Sequence, residues 1–255
     1  MSIVNTFSLQ SNRQIKINFD GGDLSSDAGL LLIKEFAAKI GFTKLIKKKF
    51  KTNDEAVRFH KDAENLLQMI YQVISAYFQD DCADELTLDP VFLAVLGKES
   101  LASQPTLSRF FNRMDEDTLV QFNDIDKKLR DIIYSIKRPE HVLFDLDSTL
   151  FGTYGRQEGE GFNFHYQAHG YHPLLCYDGL TGDLLKAELR NGTLHCSNGA
   201  DKFMESIFQE YLERGLKTYL RGDSGFSSPK LYETCESNGC SYAIRLKQNS
   251  TLIGF

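Results

Sequence analysis

Apolar positions recur at helical spacing through the first half of the chain and at strand spacing through the second. Leu30, Leu31, Ile33, Phe36, Ala37 and Ile40 form one stripe, which predicts a helix from Ala28 to about Ile40. Ser25, Ser26 and Asp27 offer cap oxygens before it and Gly41 closes it. A second stripe through Leu66, Leu67, Ile70, Val73, Ile74 and Tyr77 predicts a helix from about Glu55 to Phe78. Shorter helices follow near Pro90 to Leu96, from Ser103 to Arg113, and from about Asp117 to Ile136. Ahead of them, the alternation Ile15-Lys-Ile-Asn-Phe19 suggests a short strand.

Lys137-Arg-Pro139 reads as a linker, so a mainly helical region over residues 1–138 should precede a second domain over 139–255. From His141 the texture turns to strands and glycine turns. Val142, Leu143, Phe144, Leu146 and Leu150 read as a buried strand, with further strands over Phe162–Tyr166, Tyr171–Tyr177 and Leu184–Leu189. A helix from Ala200 to Arg214, a strand into Asp223, a helix from about Pro229 to Asn238 and a strand Ser241–Leu246 complete the order. Hairpin-rich strands, then a helix, a strand, a helix and a strand match a ribonuclease H-like α/β fold. That is a mixed sheet flanked by helices.

Two aspartates break this apolar pattern. Asp145 and Asp147 sit in a strand that should be buried, where an ionised carboxylate costs several kcal/mol unless it is paired or meets a cation. Lys217-Thr-Tyr-Leu-Arg-Gly-Asp223 delivers a third aspartate at the end of another strand. Each alone reads as a turn or cap residue. Together, Asp147 and Asp223 are placed to share one metal at adjacent strand ends.

Composition adds exclusions. Five cysteines without a CxxC pair argue against a disulfide framework and a structural zinc site, and a reducing cytoplasm fits. Gln68, Gln72 and Ser75 interrupt the most apolar helical stretch, so no membrane span is expected. Net charge is −6, with 19 basic against 21 acidic residues up to residue 140, so bulk charge gives no nucleic-acid signal. The basic cluster Lys44, Lys47, Lys48, Lys49 and Lys51 is either a DNA-contacting patch or a solvated helix end. Arg109 and Arg113, spaced i and i+4, suit a recognition helix or an amphipathic helix packing Leu107, Phe110 and Phe111. Asp80, Asp81, Asp84 and Glu85 read as solvated, and His165, His169 and His172 sit among turns rather than on a metal-binding helix face.

Longer text now carries a resemblance. Phe144-Asp-Leu-Asp-Ser-Thr149, Gln157-Glu-Gly159, Gly170-Tyr-His-Pro-Leu174, Leu189-Arg-Asn-Gly192, Leu220-Arg-Gly-Asp-Ser-Gly-Phe226 and Cys235-Glu236 fall in one family order. Upstream, Asp27-Ala-Gly-Leu30 and Leu101-Ala-Ser-Gln-Pro-Thr-Leu-Ser-Arg109 fit the same order. The chain resembles the DDE transposases of bacterial insertion sequences, most closely the insertion sequence 1380 family. The resemblance implies catalytic, metal-binding Asp147 and Asp223 and a Mg²⁺ or Mn²⁺ cofactor. It also implies cleavage at transposon ends, then attack of the freed 3′-OH on target DNA. The implied partners are terminal inverted repeats and target DNA, with a homodimer as the active complex, no membrane, and a cytoplasmic, nucleoid-associated location. The family's third acidic residue has no counterpart before Phe255, so the chain is expected to be a shortened N-terminal portion that cuts poorly.

Two other readings remain at this point. One is a non-catalytic DNA-binding or regulatory fragment. The other is a haloacid dehalogenase-type phosphatase, with Asp145 as nucleophile and Asp147 as acid-base in Asp145-Leu-Asp-Ser-Thr149.

Overall fold

The computed structural model describes residues 6–19, 21 and 24–247. The chain divides into two compact units, Met1–Ile136 and Lys137–Phe255.

The first unit opens on a two-stranded antiparallel ribbon, β1 (Thr6–Ser8) against β2 (Lys16–Asn18). Among the described residues seven helices follow: α1 (Leu30–Lys39), α2 (Phe42–Lys49), α3 (Asp62–Ile74), α4 (Cys82–Glu85), α5 (Pro90–Leu96), α6 (Gln104–Phe111) and α7 (Glu116–Ile136). α3 serves two clusters of buried side chains. Tyr71 packs with Leu30, Leu31, Phe92 and Val95, while Leu66 and Leu67 pack with Ile46, Phe50, Phe110 and Ile125. Between them Gln68 is buried, its amide donating to the Ala102 carbonyl and accepting from the Ala102 N–H, both at 2.8 Å. Both polar ends of the side chain are thereby satisfied.

Local caps account for the helix ends that sequence alone located. Asp89 accepts from the N–H groups of Val91 and Phe92 ahead of α5, and Gly97 closes it in the left-handed region at φ 65°. Two expectations need correction. α1 starts on Gly29 without a side-chain cap, because Asp27 instead accepts from the Tyr77 hydroxyl at 3.0 Å and Ser25 accepts from the Asp27 N–H. α3 starts at Asp62, seven residues later than its apolar stripe suggested. The Asp62 carboxylate takes the Thr52 N–H and hydroxyl and the Arg113 guanidinium, which fixes the helix entry from residues distant in sequence. Val57 and Phe59, which fall inside the expected helix, are fully exposed and 72 % exposed.

That entry is acid-sensitive. Burial works against the charged forms of Asp62 and Glu64, but hydrogen bonds from Thr52 and Arg113 to the first, and from Lys98 and the Lys61 N–H to the second, hold both below the usual carboxylate range. Depressed folded-state values stabilise the fold above the unfolded value of about 4 and lose that contribution as pH falls through the folded ones. Denaturant midpoints between pH 7 and pH 2 should therefore drop below about pH 4, and Asp62→Asn should flatten the drop.

The second unit is built on a five-stranded mixed sheet in the order β10 (Ser241–Ile244), β9 (Lys217–Gly222), β3 (His141–Asp147), β7 (Leu174–Asp178), β8 (Leu184–Glu188). β3 runs parallel to β9 and antiparallel to β7, β7 is antiparallel to β8, and β10 is parallel to β9. α8 (Ala200–Glu213) packs on β8 and β9, and α9 (Pro229–Ser237) packs on β10 and on α8. β3 turns Val142, Phe144 and Leu146 inward, and the Phe144 ring meets those of Phe208 and Tyr211 on α8 at centroid distances of 5.6 and 5.1 Å.

A separate three-stranded sheet, β4 (Phe151–Gly152), β6 (Ala168–Tyr171) and β5 (Gly161–Asn163), lies between β3 and β7 in sequence. It corrects the expectation of single strands over Phe162–Tyr166 and Tyr171–Tyr177. Pro173 has no N–H to give a ladder, and His172 is held from outside by its N–H to the Arg190 carbonyl, so the chain leaves one sheet and enters the other there.

Candidate active site

The β3–β9 register sets the site. Leu146 lies opposite Gly222 in parallel pairing, so the next residues, Asp147 and Asp223, emerge side by side at the same sheet end. Neighbouring strands lie about 4.8 Å apart, so the two side chains start close together. Asp147 accepts its own neighbour's N–H, from Ser148, at 2.7 Å, and the Ser148 hydroxyl donates to the Pro173 carbonyl at 2.8 Å. Asp223 accepts the Gly225 N–H at 2.8 Å, capping the 3₁₀ turn Ser224–Phe226. A Cβ on Gly225 would sit 2.3 Å from Cys196 Sγ and 3.0 Å from Asp223 Oδ1, so a larger residue here would have to displace the Cys196 thiol.

The three aspartates differ in what surrounds them. Asp145 faces Arg221 across the same two strands and is held by it in a two-pronged pair, with Arg221 Nε at 2.6 Å from Oδ1 and Nη2 on Oδ2. Its charge is already balanced. Asp147 and Asp223 are exposed, and among the described residues neither forms an ion pair. Each commits one oxygen to a backbone N–H and leaves the other open. Two such carboxylates side by side repel one another and favour a cation between them. Mg²⁺ is commonly held by one or two carboxylates, with waters and phosphate oxygens completing its shell, and this donor set fits it. Among the described residues no group of three or more His, Cys, Asp or Glu stands ready for a metal.

Asp147 and Asp223 line one side of a cavity of about 510 Å³. Its other walls come from the turn after β5, from His172, and from the loop Thr193–Cys196. Arg190, nine-tenths buried, braces that loop by donating to the His172 carbonyl at 3.1 Å and the Asn198 carbonyl at 2.5 Å. The same two aspartates also border a cleft of about 610 Å³ over the sheet face, with Asp145, Asp178 and Arg245. Burial and then the Asp223 charge push the Cys196 thiol above its ordinary value, which makes it a poor nucleophile.

The loop and the aromatic turn are site components that strand and helix periodicity missed. The only sequence signal for the loop was the pair of bracketing turns at Asn191-Gly192 and Asn198-Gly199. The three histidines go separate ways: His169 pairs with Glu160 at 2.8 Å, His172 Nδ1 meets the Leu194 carbonyl at 2.8 Å, and His165 lies edge-on to Tyr166.

In the helical unit, Lys47, Lys48 and Lys49 are exposed in the last turn of α2, with Lys49 Nζ 3.8 Å from Asp124. Arg109 is exposed on α6. Arg113, grouped with it as a DNA contact, has another use. Its guanidinium is mostly buried against Asp62 at 2.7 Å and Asp54 at 3.5 Å and stacks on Phe110, so its charge is spent within the fold.

In chain order the main sheet runs third, second, first, fourth, fifth strand, with only the second antiparallel to the rest, and a carboxylate stands at the end of the first and just past the fourth. This is a ribonuclease H-like unit bearing paired acidic residues. The chain belongs to the family described as Transposase DDE domain group 1, whose model matches residues 7–254. The phosphatase reading is thereby set aside, in keeping with the engagement of its supposed nucleophile, Asp145, by Arg221.

Among solved structures, a piggyBac transposase synaptic complex with hairpin DNA is similar at 16 % identity and a TM-score of 0.41, over 83 % of this chain and 48 % of that one. The catalytic domain of Mos1 mariner transposase is similar at 12 % identity and 0.30, over 54 % and 63 %. The catalytic core domain of BIV integrase is similar at 12 % and 0.27, over 46 % and 61 %. The chain spans less than two thirds of each of these. No curated protein matches it. No helix among the described residues is long and apolar enough to cross a membrane.

Proposed function

We propose that this chain carries the strand-cleaving site of a DNA transposase, of the insertion sequence 1380 type, that cuts at the ends of its element and joins the freed 3′-OH to target DNA. The observation that carries the reading is the side-by-side emergence of Asp147 and Asp223 from β3 and β9, neither in an ion pair among the described residues, in a member of a transposase family. The two carboxylates would hold Mg²⁺ or Mn²⁺. Such an ion, when bound, supplies Lewis acidity to a water or 3′-OH nucleophile and to the phosphodiester it attacks. The chain's own residues do the positioning: the Ser148 and Gly225 N–H groups fix the orientation of each carboxylate. The Arg221–Asp145 pair balances the charge of the third aspartate nearby.

Element ends are recognised by the helical unit, with Lys47, Lys48, Lys49 and Arg109 as its phosphate contacts, and two copies act together on two ends in the cytoplasm. Replacing Lys47, Lys48 and Lys49 by alanine is expected to weaken binding and lower the slope of log affinity against log salt by up to about 3, near 0.9 per lost phosphate contact. A slope unchanged between 50 and 200 mM salt removes the patch from the account. The function itself is tested by incubating the chain with duplex DNA carrying its element's ends and Mg²⁺ or Mn²⁺. Cation-dependent nicks leaving 3′-OH termini are expected, and binding of neither DNA nor Mn²⁺ would end the reading.

A further inference from the structure

Three aromatic side chains, Phe164, His165 and Tyr166, project in succession from the turn after β5, and all three are exposed and line the cavity of the two aspartates. Phe164 leaves 76 % of its surface in water. Exposure of that size on an ordinary loop tip has no stabilising return, since burial of apolar area is what drives folding.

The turn is also built to hold these rings still. Asn163 is buried, and its side-chain oxygen accepts the N–H groups of His165 and Tyr166 at 3.0 and 3.1 Å while its amide donates to the Gly192 carbonyl at 2.8 Å. Gln167 closes the turn at φ 54°, uncommon for a residue other than glycine, with its amide on the Phe164 carbonyl at 2.5 Å. Phe162 meets the Phe164 ring edge to face at 5.3 Å, so Phe164 is braced on one side and open on the other.

Charge narrows the occupant. Lys247 is the one lysine or arginine among the described residues around the cavity, against two carboxylates. A phosphate backbone gains little there by electrostatics alone. An aromatic face serves any nucleobase, because every base has a π-face and stacking tolerates all sequences.

Resting on the DNA-cleaving reading above, we infer that the Phe164–Tyr166 turn is a stacking site for an unpaired nucleobase of the strand being cut, with Phe164 as the principal platform. The base leaves the duplex next to the scissile phosphodiester and stacks on the open face of Phe164. A ring already fixed in place loses little freedom when the base arrives, so the contact acts with most of its strength.

The test uses two DNA probes of equal duplex length, one blunt and one with a three-nucleotide unpaired 3′ tail carrying 2-aminopurine, in the presence of EDTA. The chain has no tryptophan, so the fluorescence of the probe is read against a low protein background. The unaltered chain is expected to quench the tail and to bind the tailed probe about tenfold more tightly, the equivalent of ~1.4 kcal/mol. Phe164→Ala should remove that preference and keep the blunt-duplex affinity, while Phe164→Trp should retain it and Phe164→Leu, equally apolar, should not. Equal affinity of the unaltered chain for both probes, or a preference that survives Phe164→Ala, overturns the stacking site and leaves the transposase reading standing. Failure of the unaltered chain to bind either probe overturns both.

Discussion

Asparagine in place of Asp147 or Asp223 is expected to slow cation-dependent DNA cleavage by about 10²- to 10³-fold, while the folded unit becomes no less stable. The rate estimate follows from the several kcal/mol that an ion at such a site contributes, at ~1.4 kcal/mol per decade. The stability estimate has the opposite sign from that of most substitutions. Asn keeps an oxygen to accept from the Ser148 or Gly225 N–H and removes one of two exposed like charges. At ~4 Å in water, that repulsion is worth about 1 kcal/mol. Asp145→Asn makes the contrast, since it breaks the Arg221 pair and should lower the melting temperature slightly. Cleavage assays and thermal melts on the three variants separate a catalytic pair from a merely structural one. An Asp147→Asn or Asp223→Asn chain that melts well below the parent would assign that carboxylate to holding the fold.

The largest loss of stability is expected at Phe144, on the strand that delivers Asp147. Its side chain is fully buried, wedged against Phe208 and Tyr211 of α8. Truncation to alanine removes the burial free energy and leaves a cavity that the sheet closes only in part, a cost of about 3–5 kcal/mol. For a unit of this size that lowers the melting temperature by roughly 10–20 °C. Phe144→Leu, which refills much of the volume, should cost less than half as much. Calorimetry of both variants decides the matter. A loss under about 1 kcal/mol for Phe144→Ala would mean that β3 is not anchored through this ring.

What the sequence made legible was what neighbouring residues decide. Asp89-Pro90 and Gly97 bound α5, Ser228-Pro229 opens α9, and the apolar run ending in Asp147 is a strand because its alternate side chains face a helix. The adjacency of Asp147 and Asp223 followed from the order of strands and helices, which leaves few ways to lay down such a sheet. The rest depended on partners distant in sequence. Asp62 starts α3 because Thr52 and Arg113 reach it, and Arg113 turns inward for the same reason. The second sheet escaped notice because β4 and β5 are two and three residues long, too short to show a period, and because His172-Pro173 interrupts an apolar run whose ends join different sheets.

The parallel pairing of β3 with β9 also orders events during synthesis. Asp223 follows Asp147 by 76 positions, with a helix and a second sheet between them. At ~5–20 residues per second a ribosome needs roughly 4–15 s to cover that interval. Throughout it Asp147 is a solitary carboxylate. Pairing across so long a loop forms slowly compared with the helices of the first unit. A nascent chain therefore carries α2 with its exposed lysines for several seconds before the two carboxylates can stand together.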